Sequence, residues 1–404
     1  MLTALLVLVI VLVLAAAPFF LLTPKPPRPG GTIQSIDEME AYLGALVANE
    51  TPPALDVTVM KGGALVYAKA FGKLDPSGTP ASGDAVYHFW SVTKLFTAAA
   101  ILELADDGKL SLDDPVTSFL PNFRTEFAGR QATVTIRQLL DHTSGMKNLG
   151  PLDLVGWIHH LADPPVDQVA LVRDRMAGYR GLATAPGKTG AYSNAGYIVL
   201  GAIVAAASGE SYEDFVRTRL LSPLGMASTD FVYRDDLLAR AVAGSHPLFH
   251  FFTPLLLMMH TDWFSSWVGK TTRRRMWLRP LYTDYTGPTG LLGTGRDLAR
   301  FGQAFLNGGE LDGKRILRPE SAVAMLGDGF GPNNGPDGDR MGLGWHWWDF
   351  GAMPFKGHGG AGPGFGTQLA VFEKERMVVV VLANDTLIDR VGLARMVGDV
   401  FGQR

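Results

Sequence analysis

Ser91 and Lys94 stand three residues apart in Phe89-Trp90-Ser91-Val92-Thr93-Lys94-Leu95-Phe96-Thr97-Ala98-Ala99-Ala100, the opening of an almost wholly apolar run. Helical spacing of three puts both side chains on one face, so the Lys94 amine can lie beside the Ser91 hydroxyl. Val92, Leu95, Phe96 and the alanines predict a core helix rather than a surface one. A lysine entering such surroundings loses solvation, which disfavours its charged form. A lysine that is neutral part of the time can accept the serine proton, and the helix N-terminus favours the negative charge that results. The chemistry on offer is a serine nucleophile with its own base.

Ser-x-x-Lys is a weak pattern taken alone, and the chain holds a second one, Ser144-Gly145-Met146-Lys147. That one lies in Asp141-His142-Thr143-Ser144-Gly145-Met146, a turn-like cluster that opens no apolar helix. Two further stretches add to the first. Tyr192-Ser193-Asn194 follows the loop Ala185-Pro186-Gly187-Lys188-Thr189-Gly190 and precedes a helix expected from Gly196. A phenol near a lysine can exchange protons with it, and an asparagine amide can hold a substrate carbonyl or orient that lysine. A plain capping loop is the bland alternative. The third stretch is Phe355-Lys356-Gly357-His358-Gly359-Gly360-Ala361-Gly362, whose glycines let a strand approach a ligand closely and offer backbone N–H groups to an oxyanion.

In this order the three stretches resemble the penicillin-recognising serine hydrolases, and more narrowly the class C β-lactamase and serine esterase branch, over about residues 36 to 404. Gln138-Leu139-Leu140-Asp141-His142-Thr143-Ser144-Gly145-Met146 and Gly290-Leu291-Leu292-Gly293-Thr294-Gly295-Arg296-Asp297 share in the resemblance. It implies Ser91 as the acylated nucleophile, Lys94 as the group that lowers its proton affinity, Tyr192 as general base and then acid to the leaving group, and Asn194 as a substrate or lysine ligand. Backbone N–H groups of Ser91 and Ala361 would form the oxyanion hole, and His358, Gly359 and Gly360 would line the substrate site. The departure is His358 followed by Gly359, where the β-lactam enzymes carry lysine and threonine. A lysine there suits a substrate carboxylate, whereas histidine is mostly neutral at pH 7. An esterase or peptidase is therefore expected. A β-lactamase or D-Ala-D-Ala peptidase is the alternative within the class, and a non-catalytic ligand-binding module the alternative outside it.

The elements that must position these residues follow from periodicity. A helix is predicted from Ile36 to Ala48, then a hairpin of strands Ala54 to Met60 and Ala64 to Ala70. A helical, loop-rich middle includes Thr135 to Asp141, Pro165 to Ala177, Gly196 to Ala207 and Tyr212 to Leu221. Strands Gly366 to Phe372 and Met377 to Ala383 and a helix from Leu387 to Val400 follow. Strands from both chain ends around a helical middle predict an α+β fold, an antiparallel sheet flanked by helices with an inserted helical lobe. The lobes divide as sheet 31–87 with 291–404, and helical 88–290 with an insertion at 245–282.

Residues 1–22 carry no charge and are long enough to span a bilayer, so an uncleaved anchor is expected ahead of a stiff Pro-rich linker to residue 30. A cleavable signal at Ala15-Ala16-Ala17 is the alternative. Lys25 and Arg28 would hold the following side cytoplasmic, but the implied chemistry argues for a periplasmic or extracellular catalytic domain. The insertion pairs an apolar run, Pro247 to Met259, and Trp263, Phe264, Trp267 and Trp277 with a basic group including Arg273, Arg274 and Arg275. It suits either a membrane headgroup boundary or an internal lid. The 404 residues carry 36 basic and 39 acidic side chains and no cysteine, which speaks against nucleic-acid partners and excludes disulfides and thiolate chemistry. No cofactor or metal is expected. His246 and His250 read as packing and His159-His160 as a surface pair.

Overall fold

The computed structural model describes residues 25–402 apart from 151–152, 154–156, 164, 251–265, 273, 328–339 and 350–352. The expected anchor at 1–22 and most of the apolar run to Met259, with Trp263 and Phe264, lie outside the described residues. Among the described residues no helix is long and apolar enough to cross a membrane.

One seven-stranded antiparallel sheet organises the chain. Its strands are β1 (Ala54–Lys61), β2 (Ala64–Gly72), β3 (Arg340–Met341), β4 (His346–Trp348), β5 (Phe355–Gly362), β6 (Phe365–Phe372) and β7 (Met377–Ala383). Their spatial order is β3-β4-β5-β6-β7-β1-β2, so early and late strands meet between β1 and β7, where Val57 pairs with Val381. Strand β7 reads as a continuous apolar run because both its faces are covered. Val378, Val380 and Leu382 enter the larger core beneath the helices of the helical lobe. Met377, Val379, Val381 and Ala383 enter a second core under the terminal helices. The period of two sorts one run of valines into two separate cores.

Five longer helices matter for the site: α1 (Ile36–Ala48), α2 (Thr93–Asp106), α3 (Asn194–Ser208), α4 (Gly295–Leu306) and α5 (Arg390–Gly402). Helices α1 and α5 cover the second core, and α1 starts on a reciprocal capping box between Ser35 and Glu38. Helix α2 is buried from Thr93 to Leu104, all round its circumference, which explains why its sequence shows no polar stripe.

The structure corrects several sequence-based bounds. Ser91 does not sit on the α-helix: it lies in a 3₁₀ turn, Trp90–Val92, that feeds into α2. Helix α3 begins two residues earlier than expected, at Asn194, because Ser193 caps it by accepting the Gly196 N–H. The stretch from Tyr212 is α-helical only to Val216 and continues as a π turn to Leu221. The last helix starts at Arg390 rather than Leu387.

The insertion is rooted in a small three-stranded sheet of Ser245–Pro247, Arg275–Leu278 and Val268–Thr271. Three of its basic and aromatic residues face inward there, as an internal lid would require. Arg275 is fully buried, donating to Asp385 at 2.7 Å, to the Glu50 carbonyl at 2.7 Å and to Ser245 at 3.0 Å. Trp277 is buried, as is Trp267, which stacks on His160 at 4.0 Å between ring centres. Of the His159-His160 surface pair, His160 is exposed, whereas His159 is half-buried and tied to the buried Asp284 at 2.7 Å. His246 and His250 pack edge to face at 5.4 Å.

Candidate active site

Lys94 is the centre of the site and has no exposed surface. Its Nζ donates to Asn194 Oδ1 at 2.7 Å, to the Pro288 carbonyl at 3.1 Å and meets Ser91 Oγ at 3.0 Å. Burial pushes its pKa well below the usual lysine value, and among the described residues no carboxylate acts to restore the charge. Two of the three partners can only accept. A neutral amine keeps both bonds with its two hydrogens and turns its lone pair to the Ser91 hydroxyl. The arrangement can therefore carry the proton on either side of the Ser91–Lys94 contact, as a nucleophile and base require.

The backbone that presents Ser91 is locally unusual. Trp90, immediately before it, has φ +46°, a conformation that bulky side chains rarely adopt. Its indole is buried, stacked on the His88 ring at 5.3 Å. Strand β5 closes on the same turn, and its glycines are what allow this. A Cβ at Gly360 would sit 2.1 Å from the Phe89 carbonyl oxygen and 3.2 Å from the Ser91 nitrogen, and one at Gly362 would sit 2.4 Å from the Trp90 ring. Thr367 on β6 adds a hydrogen bond to the His88 carbonyl at 2.9 Å. Strand β4 pairs with β5 only at Phe355, Lys356 and Gly357. From His358 to the exposed Ala361 that edge faces the site.

Tyr192 lies with its ring centre 4.9 Å from Lys94 Nζ. The loop that carries it is clamped by the segment from His142 to Asn148. The His142 carbonyl accepts the Ala191 N–H at 2.9 Å, and His142 Nδ1 accepts the Ser193 N–H at 3.2 Å. Asn148 Oδ1 accepts the Asn194 N–H at 2.9 Å, and Ser193 Oγ donates to the Lys147 carbonyl at 3.3 Å. The second Ser-x-x-Lys is thus a support for the Tyr-Ser-Asn turn, with Ser144 Oγ accepting the Met146 N–H inside it.

His358 is buried, and burial, His346, Lys94 and His142 together hold its pKa well below the ordinary histidine value. His142 is held down in the same way, by burial first and then by His346 and Lys94. Gly359 turns toward α5, where its Cα faces the Arg390 guanidinium and a Cβ would lie 2.5 Å from Nε.

The structure brings Ser91, Lys94, Tyr192, Asn194 and the Gly-rich β5 together. Of the two roles open to Asn194, it shows the lysine contact. Sequence reasoning missed Pro288, His142, His346 and Arg390 as parts of the site. Pro288 contributes a main-chain carbonyl, which no side-chain pattern signals. His346 and Arg390 arrive from β4 and α5, and only the register of the sheet reveals them.

A buried lysine bonded to a serine, at the junction of an antiparallel sheet and a helical lobe, defines a serine hydrolase of the beta-lactamase and penicillin-binding type. The beta-lactamase family profile matches residues 39–396, and the chain belongs to that family. It is 31% identical to penicillin-binding protein 4 of Amycolatopsis lactamdurans over 312 residues, covering 76% of this chain and 74% of that protein. Among solved structures, the hydrolase EstCE1, described as having promiscuous acyltransferase activity, superposes with a TM-score of 0.69 at 20% identity, covering 90% of this chain and 98% of that one. The D-amino acid amidase of Ochrobactrum anthropi superposes with a TM-score of 0.69 at 21% identity over 91% and 98% of the two chains. These last two likenesses are of fold.

Proposed function

We propose that this chain hydrolyses acyl esters or amides through an acyl-enzyme on Ser91, with Lys94 as the acylation base and Tyr192 passing the proton to the leaving group. The observation that carries the reading is Lys94 itself: buried, without a carboxylate partner among the described residues, and in contact with Ser91, Asn194 and Pro288. Ser91 and Ala361 backbone N–H groups would hold the oxyanion, which the approach of β5 to the Ser91 turn supports. His358 stays neutral in its buried setting, so esters and small peptides or amides suit the site better than β-lactams, whose carboxylate calls for a fixed cation. A fluorophosphonate probe should label the wild-type protein at Ser91 and leave Ser91→Ala unlabelled. Labelling that persists in Ser91→Ala, or that moves to Ser144, would sink the assignment. On a panel of short acyl esters, D-alanyl peptides and a chromogenic cephalosporin, ester turnover should lead and the cephalosporin should trail.

For location, residues 1–22 are proposed to tether the domain to a membrane with the active site on the outer side. The support is their uncharged run alone. Fractionation of cells expressing the full chain should place it in the membrane pellet, and removal of residues 1–30 should release it.

A further inference from the structure

Lys94 has two fixed acceptors, and one of them, the Pro288 carbonyl, is placed only as well as the turn that carries it, Thr286–Thr289. Helix α2 laces that turn to itself. Thr93 Oγ1 accepts the Leu291 N–H at 3.1 Å, Lys94 donates to Pro288 at 3.1 Å, and Thr97 Oγ1 donates to the Gly287 carbonyl at 2.5 Å. The Thr97 hydroxyl has one hydrogen, and its two carbonyl neighbours, Gly287 and Thr93, only accept. The buried Tyr212 hydroxyl, 2.7 Å from Thr97 Oγ1, is therefore the donor of that pair. On a second side Gly287 rests on α3, where an added Cβ would meet the Tyr197 carbonyl oxygen at 2.5 Å and Gly201 Cα at 3.3 Å.

The third side opens on a cavity. Thr286 and Gly290 border a space of about 540 Å³ whose walls include Glu213, Arg217, Phe231 and Tyr282. There Glu213 Oε1 accepts the Thr286 hydroxyl hydrogen. The Thr286 carbonyl accepts the Gly290 N–H at 2.9 Å, the bond that closes the turn around Pro288. Glu213 is itself fixed in the first turn of a short helix, Tyr212–Val216, which Ser211 caps by accepting the Asp214 N–H at 3.1 Å. We propose that Glu213 is a positioning residue for Lys94: by holding Thr286 at the edge of the cavity it keeps the turn closed and the Pro288 carbonyl on the Lys94 amine.

A neutral Lys94 gives one hydrogen to Asn194 and one to Pro288, and its lone pair then faces Ser91. Released from Glu213, Thr286 is free to relax into the cavity, the turn opens, and the Pro288 carbonyl leaves its line. Lys94 then follows that carbonyl or loses it, and either way the lone pair swings from the Ser91 hydroxyl. The change reaches the base and leaves β5 alone, so it falls on proton transfer rather than on substrate binding. The role given to Glu213 rests on the hydrolytic reading of Ser91; the line of contacts from Glu213 through Thr286 and Pro288 to Lys94 does not.

Three variants of the full chain test this. Thr286→Val removes the hydroxyl at nearly constant volume, Glu213→Leu removes the acceptor, and Glu213→Gln keeps an Oε1 that can accept. Thr286→Val and Glu213→Leu should each slow fluorophosphonate labelling of Ser91 and lower ester kcat about 10-fold, with KM little moved. Combined, they should cost no more than either alone, because both break one contact. Glu213→Gln should stay within about 3-fold of the wild type. Carbon spectra of protein labelled with 13C at lysine Cε read the same contact without turnover. The Lys94 signal, assigned by its absence in Lys94→Met, should shift in Thr286→Val and Glu213→Leu and hold in Glu213→Gln. Wild-type labelling rates in both Thr286→Val and Glu213→Leu, a loss taken in KM alone, or a Glu213→Gln as slow as Glu213→Leu would overturn the proposal. Should wild-type Ser91 fail to label while the Lys94 signal still answers to Thr286→Val, the hydrolytic reading falls and the coupling of Glu213 to Lys94 stands.

Discussion

Asn194 and Pro288 differ in what they let a mutation test. The Pro288 carbonyl belongs to the main chain, but the Asn194 amide can be removed. Asn194→Ala leaves the Pro288 carbonyl as the one fixed acceptor holding Lys94 Nζ beside Ser91. Ester kcat should fall about 10-fold or more, and Lys94→Met should cost about 10² or more, in both cases with KM little changed. Equal losses of kcat/KM through KM alone would mean that these residues bind substrate rather than move protons. At this scale the sequence was legible where side chains gather around Lys94: Ser91 and Lys94 by type and spacing, Tyr192 and Asn194 through the family resemblance. A carbonyl such as that of Pro288, or a histidine such as His346 delivered by strand register, leaves no such mark.

At the scale of elements, strand β5 and the Ser91 turn act as one piece. Gly360→Ala would force a methyl group against the Phe89 carbonyl, and Gly362→Ala would force one into the Trp90 ring. Each substitution should cost about 1–3 kcal/mol of stability as overpacking. Each should also slow fluorophosphonate labelling of Ser91 far more than Gly178→Ala, where an added Cβ meets nothing within 4 Å. Equal labelling rates in all three variants would show that the approach of β5 is incidental. The density of glycine in this stretch was visible beforehand, but not which glycine guards which contact. The helices were legible for a related reason. The capping box of α1 is local in sequence, so its bounds were readable, whereas the 3₁₀ entry to α2 depends on packing of Trp90 against β5 and the His88 ring.

For the whole molecule, two buried charge arrangements set stability in ways that can be measured. Arg275 bridges the insertion, Glu50 and Asp385 with no exposed surface. Arg275→Ala strands the Asp385 carboxylate and should cost about 3–5 kcal/mol, while Arg275→Met with Asp385→Leu should recover much of it. Chemical unfolding curves would read both. The second arrangement concerns pH. Burial drives His88 and His246 down to about 4, and drives His142 and His358 well below their ordinary value. The unfolded chain then binds more protons at these sites than the fold does below about pH 6.5, so stability should drop as pH falls through that range. Asp56 works the other way, since burial raises it to about 7 and the fold holds a proton that the unfolded chain releases above about pH 4. Burial raises Glu103, Asp141, Glu213 and Asp297 in the same sense as Asp56, so the contributions are separated by difference: Asp56→Asn should make the unfolding midpoint rise more steeply between pH 5 and 6.5 than it does in the wild type.

The pairing of β1 with β7 has a consequence for how the protein is made. Lys61 faces Met377 and Leu55 faces Ala383 across that seam, so the first hairpin leaves the ribosome long before its neighbour exists. At about 5–20 residues per second the interval is roughly 15–60 s. During it the apolar side chains of Leu55, Val57 and Val59, all of which end in the second core, have only α1 and β2 to lie against, without β7 and α5. A nascent chain stalled before residue 377 should therefore be protease-sensitive in its first hundred residues and bound by chaperones. The same chain stalled with residue 402 clear of the exit tunnel should be neither.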